Sequence, residues 1–134
     1  MGKRPFHFLM AASVACVIFG AAAKSDPILG TWRVEPDHKG QIGQVVIRVC
    51  DEGFCGRVVH VVDRTGNSVV TRSMGRDLFW GLRAEGNGSY GGGRVWVPLH
   101  DKVYAAKARL SGNRLRVLGC LGPICDGQNW VRVK

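Results

Sequence analysis

The sequence predicts an all-β chain folded as a small eight-stranded antiparallel up-and-down barrel, and three observations carry that expectation. Apolar residues recur with a period of two in short segments between Ile28 and Val133, the pattern of a sheet with one buried face. Glycine is abundant, 19 residues against 5 prolines in a chain of 134, about twice its usual share of roughly 7 %. With no repeat to explain it, this glycine marks tight turns. No segment carries a convincing helical stripe. The hydrophobic fraction of 46 % and charged fraction of 22 % fit one globular domain and exclude a disordered chain or a polytopic membrane protein.

The strands follow in order. Pro27 opens a first strand over Ile28 to Val34. Gln44 to Cys50 is the second, with Val45, Ile47 and Val49 on one face and Arg48 on the other. Arg57 to Val62 is the third, entered through the turn Asp51-Glu52-Gly53-Phe54, and Asp63 to Arg72 is a polar loop. Leu78 to Arg83 is the fourth, and Glu85-Gly86-Asn87-Gly88 turns the chain into a fifth over Tyr90 to Val97. Pro98 ends that strand, since proline cannot donate to a sheet ladder. Val103 to Leu110 is the clearest element, with Tyr104, Ala106, Ala108 and Leu110 on one face and Lys107 and Arg109 on the other. After Ser111-Gly112-Asn113 come Leu115 to Cys120 and Asn129 to Val133. Eight sequential strands on short loops point to a closed barrel, which removes sheet edges altogether.

Ahead of this domain lies a targeting segment. Lys3 and Arg4 form a basic start, Phe6 to Phe19 an apolar run, and Ala21-Ala22-Ala23 a small-residue cleavage pattern, together a secretory signal peptide over 1–23 cleaved after Ala23. The apolar run is short for a membrane anchor of about 20 residues. Ser13-Val14-Ala15 before Cys16 departs from the Leu-x-Ala that precedes a lipidated cysteine. The mature chain, 24–134, is therefore expected in the periplasm or outside the cell, without a membrane span. It is strongly basic, the whole chain carrying a net charge of +9. Export argues against a specific nucleic-acid partner, and an anionic envelope component is the more natural neighbour.

Four cysteines survive cleavage, Cys50, Cys55, Cys120 and Cys125, as two C-x4-C units. An even count in an exported chain implies disulfides. Residues flanking a hairpin loop face one another at a spacing a disulfide can span, which favours Cys50 with Cys55 and Cys120 with Cys125. Each closes a loop of about six residues, worth about 2 kcal/mol in the chain-entropy account. Alternate turns of an up-and-down barrel lie at opposite rims, so the two units are expected at different ends. That separation also disfavours a four-cysteine zinc site.

The remaining motifs carry no chemistry. Gly86-Asn87-Gly88-Ser89-Tyr90-Gly91 matches G-x-G-x-x-G in form, but no helix follows to receive a pyrophosphate. There is no G-x-S-x-G or H-E-x-x-H, and His38, His60 and His100 lie far apart, so no catalytic residue, metal or cofactor is expected. Asp51 and Glu52 are adjacent in a tight turn, where two opposed protonation states are hard to keep.

Gly30-Thr31-Trp32 together with Trp130-Val131-Arg132 resembles the calycin signature of lipocalins and fatty-acid-binding proteins, in which a first-strand Trp packs against a C-terminal Arg. The wider pattern of Asp26 to Trp32, Cys50 to Val59, Gly92 to Val95, Lys102 to Tyr104, Leu115 to Cys120 and Trp130 to Val133 is similar to the bacterial exported family called domain of unknown function 2147. The resemblance covers nearly all of the mature chain and implies a lipocalin-like barrel with no established activity. It implies structural roles for Gly30, Trp32 and Arg132, the guanidinium covering the indole face and closing the base by cation–π attraction. The chain departs from the family pattern at Val97, where many relatives carry Asp before the proline.

Two residue sets remain of functional interest. Trp80, Tyr104, Ala106 and Ala108, with His60 as a further candidate, are expected to line the interior, where an eight-stranded barrel holds side chains or one small ligand. His38, Lys39, the loop Asp63 to Arg72, His100, Asp101 and Asp126 to Gln128 are expected to share one rim, where loops on a rigid barrel commonly carry recognition. The leading expectation is a non-enzymatic module binding a small apolar or amphipathic molecule. The alternative is an envelope interaction protein with a filled barrel and a basic, loop-rich surface.

Overall fold

In a computed structural model the chain is described over residues 25–134 and, ahead of them, at residues 2, 3, 5, 12–18 and 20. The cleavage point expected after Ala23 and most of the leader lie outside the described residues. The strands are β1 (Gly30–Val34), β2 (Ile42–Cys50), β3 (Gly53–Val62), β4 (Asp77–Gly86), β5 (Ser89–Val97), β6 (Lys102–Ser111), β7 (Arg114–Leu121) and β8 (Ile124–Arg132). They pair antiparallel in sequence order and close into a barrel through β1 and β8.

Two-residue turns replace the longer loops expected at several hairpins. Asn87 and Gly88 both have positive φ, 54° and 76°, as the type I′ turn that suits the twist of a hairpin requires. The extra length goes into strands. β3 starts at Gly53 rather than Arg57, and β8 starts at Ile124 rather than Asn129. The polar run Cys125 to Gln128 pairs residue for residue with β7, so strand partners decide its state where composition did not.

The register shifts in four strand pairs, β2–β3, β3–β4, β4–β5 and β5–β6, and two of these shifts re-aim residues expected inside. On β3 the partner of Gln44 is His60 while the partner of Val45 is Val58, so the inward positions become Val58 and Val61. On β4 the register slips between Phe79 and Leu82, where Gly81 takes a φ of 68°. A glycine is the residue that accepts such a conformation without strain. Phe79 and Leu82 are consequently both fully buried, and Trp80 between them turns outward.

The closing seam is short. β1 pairs with β8 over three residue pairs, against nine between β2 and β3. Trp32 and Arg132 face each other across it, and the guanidinium lies 4.3 Å from the indole centroid. The same guanidinium donates to the carbonyls of Leu29, at 2.9 Å, and Pro27. The Trp32 indole N–H donates to Ile28 O at 2.9 Å. Tyr90 completes the base, its hydroxyl donating to Asp26 at 2.5 Å. The turn Asp26 to Leu29 is thereby held under the barrel, with Ile28 fully buried. Gly30 has a φ of 130°, and a Cβ there would meet Lys134 O at 2.5 Å, so the seam leaves no room for a side chain at this crossing. Above the base, Phe79 and Trp130 pack with ring centroids 5.9 Å apart.

Two predictions follow from the base. Arg132→Ala, which strips a stacked, doubly hydrogen-bonded cation, lowers unfolding stability by about 2 kcal/mol, whereas exposed Lys107→Ala changes it by less than about 0.5 kcal/mol. Equal urea midpoints for the two variants would remove the clamp from its structural role. Burial, reinforced by the hydrogen bond to Asp26 and its charge, raises the Tyr90 phenol pKa well above its ordinary value. A pKa raised on folding contributes stability that is intact below the unfolded value of about 10 and is lost as pH climbs through the folded one. The stability advantage of the native barrel over Tyr90→Phe therefore narrows above about pH 10, as read by urea unfolding at stepped pH. An advantage that stays constant to strongly alkaline pH would separate Tyr90 from the base.

Candidate binding site

Away from the base the barrel holds a cup of about 1090 Å³, at the upper end of the roughly 300–1,000 Å³ typical of small-molecule sites. Its wall is made of Val34, Val45, Val58, Val61, Val95 and Val117 with Leu78 and Tyr104. Small side chains at inward positions create the space. Gly43 and Gly119 line it as well, and a Cβ at Gly43 would meet nothing nearer than Val34 at 3.9 Å. At Gly119, by contrast, a Cβ would meet Val95 at 3.2 Å, so Gly43 is the inward glycine that leaves room and the sequence signal that points to this cavity.

The mouth is polar and comes from four connections. Glu35 to Lys39 lie between β1 and β2, Thr71 to Ser73 between β3 and β4, Pro98 to His100 between β5 and β6, and Asp126 to Gln128 follow the turn into β8. Several of these groups are committed to holding their own loops. The Asp37 carboxylate accepts the amides of Lys39 and Gln41, at 2.8 and 2.9 Å. Asp63 accepts the Thr65 hydroxyl and the amides of Thr65 and Asn67, and these bonds, the hydroxyl first, hold its carboxyl below the usual range. His100 Nδ1 lies 3.1 Å from the Tyr104 hydroxyl, placing a polar pair on the cup wall. Trp96 is buried at the rim under the Arg76 guanidinium, 3.6 Å from its centroid, and its N–H donates to Asp101 at 2.9 Å. That contact ties the loop before β4 to the β5–β6 hairpin, and sequence reasoning missed it because a tryptophan beside inward Val95 reads as one more strand residue.

The expected interior residues separate. Tyr104 lines the cup, while Ala106 and Ala108 are buried in the core and do not line it. His60 and Trp80 are corrections. The β3 bulge puts His60 outside, with Nε2 2.7 Å from Ser68 Oγ. The β4 bulge leaves Trp80 36 % exposed beside Arg94, Arg83 and Gly92 on the outer wall. Of the rim set, His38, Lys39, Thr71, Arg72, His100, Asp126 and Gln128 line one mouth, whereas Asp63 to Ser68 lie off the cavity and Asp101 serves Trp96.

The cysteines form two pairs, Cys50 with Cys55 and Cys120 with Cys125, with Cα separations of 5.9 and 4.1 Å. They brace hairpins at opposite ends and differ in register. Cys120 is directly opposite Cys125, but Cys55 is opposite Arg48 and its bond to Cys50 runs diagonally. Among the described residues no three His, Cys, Asp or Glu side chains gather as metal ligands.

The sequence model of a bacterial family described as an uncharacterized protein conserved in bacteria, DUF2147, matches residues 30–132. The chain belongs to this family. The barrel is also similar to the solved structure of protein HP1028 from the human pathogen Helicobacter pylori, which is described as belonging to the lipocalin family. The two share 15 % identity with a TM-score of 0.63 over 82 % of this chain and 85 % of that one, which establishes a lipocalin-like fold. A search of the curated proteins finds no match.

The outward turn of Trp80 has an optical signature. Trp32, Trp96 and Trp130 are exposed by 0, 4 and 2 %, so acrylamide quenching of the native emission comes from Trp80, and Trp80→Phe should leave an emission that acrylamide hardly reaches. Undiminished quenching in that variant would place Trp80 inside.

Proposed function

We propose that this protein is a binding module that carries one small apolar or amphipathic molecule in its cup, outside the cytoplasm. The observation that supports this reading is the combination of a valine-walled cavity of about 1090 Å³ with a mouth of polar and charged side chains. An apolar chain placed there removes its own surface from water, at roughly 25 cal/mol per Å². A polar head group at the mouth meets Arg72, Lys39, His38 and His100, so the ligand keeps its polar end hydrated or hydrogen-bonded. The His100–Tyr104 pair on the wall offers one further polar anchor. The signal peptide read from residues 1–23 supports an extracytoplasmic setting, where a carrier of water-insoluble molecules has work to do.

The cup also argues against the alternative of a filled barrel that acts by its surface alone. Space maintained at Gly43 and between six valines is a departure from the close packing of protein interiors, and it costs contacts that a purely structural barrel would keep.

Gly43 supplies the test. Its backbone φ is unexceptional and a side chain there points into open space, so Gly43→Phe fills the cup without disturbing the base. The expected result is saturable, stoichiometric binding of a fluorescent fatty-acid probe by the native protein, reduced at least about tenfold by one occluding ring, on the scale of 1.4 kcal/mol per tenfold. Native mass spectrometry of protein taken from its own envelope should show a small-molecule adduct. A probe that fails to bind, together with a clean protein mass, would overturn the carrier reading.

A further inference from the structure

Three of the four tryptophans have partners in the fold. Trp32 lies under Arg132, Trp130 packs on Phe79 inside the barrel, and Trp96, on the outer face of β5, is covered by the Arg76 guanidinium. Trp80 differs. It stands on the outer face of β4, 36 % exposed, and among the described residues no cation lies over its ring. An indole left bare in this way offers a large apolar face beside polar neighbours.

The ring lies in a groove of about 350 Å³ lined also by Glu52, Arg83, Arg94, Gly81 and Gly92. Arg94 is the direct partner of Trp80 across the β4–β5 ladder. Gly92 has a φ of 72°, and nothing stands within 4 Å of the place a Cβ would take, so bare backbone adjoins the indole. Glycine within a strand often marks a place where another molecule comes close to the backbone. Arg83 is anchored, its Nε donating to Glu52 O at 3.0 Å and its guanidinium 4.0 Å from the Glu52 carboxylate. Arg94 is exposed and has no ion-pair partner among the described residues.

We infer that this groove binds an acidic glycan, with one sugar ring stacked on Trp80, its carboxylate on Arg94 and its hydroxyls shared between Glu52 and Arg83. The groove is on the outer wall, so the inference does not rest on the carrier reading. The mixture of groups selects the occupant. A pyranose ring has a face of C–H groups that stacks on an indole and a rim of hydroxyls that both donate and accept, so it uses a carboxylate and a guanidinium side by side. A DNA backbone brings no donor to Glu52. Single-stranded nucleic acid is also held by stacking successive bases on several aromatic rings, whereas this wall bares one.

Charge favours an acidic sugar over a neutral one. The outer faces of β4 to β7 carry Arg83, Arg94, Lys107, Arg109, Arg114 and Arg116, all exposed. Beside these six cations stand three free acids, Asp51 and Glu52 in the β2–β3 turn and Glu85 on β4. Asp77 is paired with Arg48 and Arg57, Asp126 faces the cup, and Glu35 lies beyond β8 at Asn129. Arg109 and Arg116 are direct partners across the β6–β7 ladder, a like-charge arrangement that weakens a sheet and that an anion laid across it relieves. A glycan with an acid on each residue can run from the ring at Trp80 over these side chains. Its carboxylates meet guanidinium groups in charge-assisted, bidentate bonds, and the attraction fades with salt.

The test is titration of the native, disulfide-bonded protein with an oligogalacturonate hexasaccharide, read by calorimetry and by protection of the Trp80 emission from acrylamide. Saturable binding is expected, at least about tenfold weaker for neutral maltohexaose and weaker at high salt. W80A and R94Q should each lose at least about tenfold in affinity by calorimetry, on the scale of one stacked ring or one charge-assisted pair. R64Q/K102Q, which removes two cations away from the groove, should stay within about twofold, since screening leaves distant charges little effect. W80A and R94Q should bind the fluorescent fatty-acid probe as the native protein does, which separates failure of the groove from failure of the barrel or its cup. Absence of oligogalacturonate binding, equal affinity for maltohexaose, undiminished binding by W80A, or an equal loss in R64Q/K102Q would overturn the inference. So would an oligothymidylate that binds as tightly and loses its affinity in W80A, because the indole would then hold a nucleic-acid base.

Discussion

The turn from Asp26 to Leu29 is held beneath the barrel by three side chains from distant parts of the chain, Trp32, Tyr90 and Arg132, and the remaining architecture depends on that junction. A closed barrel avoids free sheet edges only if its last strand finds its first. Here the ladder has three paired positions because β1 is five residues long, and backbone bonds from Thr31 to Val133 and Lys134 and from Glu35 to Asn129 carry it a little further, still short of the long hairpins. Arg132 compensates. One guanidinium stacks on Trp32 across the seam and takes two carbonyls of the N-terminal turn, so the contact that fixes strand closure also seals the base. With that end sealed, the other is free to stay open.

An open cup is compatible with a stable barrel because the two jobs fall to different layers. Of the largest fully buried side chains, Trp32, Trp130, Phe79, Ile28, Leu82 and Leu115 stay away from the cup, and Val45 alone lines it. The wall above them is built of valine and glycine, whose burial contributes less per residue. Those valines are at most 8 % exposed, so what the wall gives up is packing that larger residues would have supplied, a loss proteins commonly accept where a site needs room. The indole N–H of Trp130, buried without a hydrogen-bond partner among the described residues, is a second concession, costing about 1–3 kcal/mol against the large apolar area its ring buries beside Phe79.

Most of the barrel was legible in the sequence for a simple reason. Sheet side chains alternate, and in β6 the alternation of Tyr104, Ala106, Ala108 and Leu110 with Lys107 and Arg109 runs without interruption. The seam residues were legible through their resemblance to a known signature, and the cysteine pairs through their spacing. The failures at His60 and Trp80 share one cause. Each lies at a β-bulge, and one extra residue sends every later side chain of the strand to the opposite face. Gly81, in mid-strand beside Trp80, was the local sign of that slip. The cup was less legible than the walls around it, because an absent side chain such as that at Gly43 gains meaning only once the facing strands are known. The length of β8 was hidden too. Cys125 to Gln128 is polar and exposed in part, and it is a strand because β7 is beside it.

The two disulfides separate along the same axis as the rest of the molecule. Small loops of this size contribute only about 2 kcal/mol each through chain entropy, and neither crosses the seam, so barrel closure does not rest on them. What each fixes is the shape of one hairpin. At the base, Cys55 is buried against the core and its bond crosses the ladder diagonally to Cys50, securing strands that are already deeply packed. At the mouth, Cys120 and Cys125 are direct partners below a two-residue turn whose flanking residues are exposed, and little else packs on that tip. A constraint has most effect where packing is least. The mouth hairpin therefore gains its definition from the covalent bond, which allows it to extend beyond the core with apolar side chains at its end and still keep a single shape beside the opening.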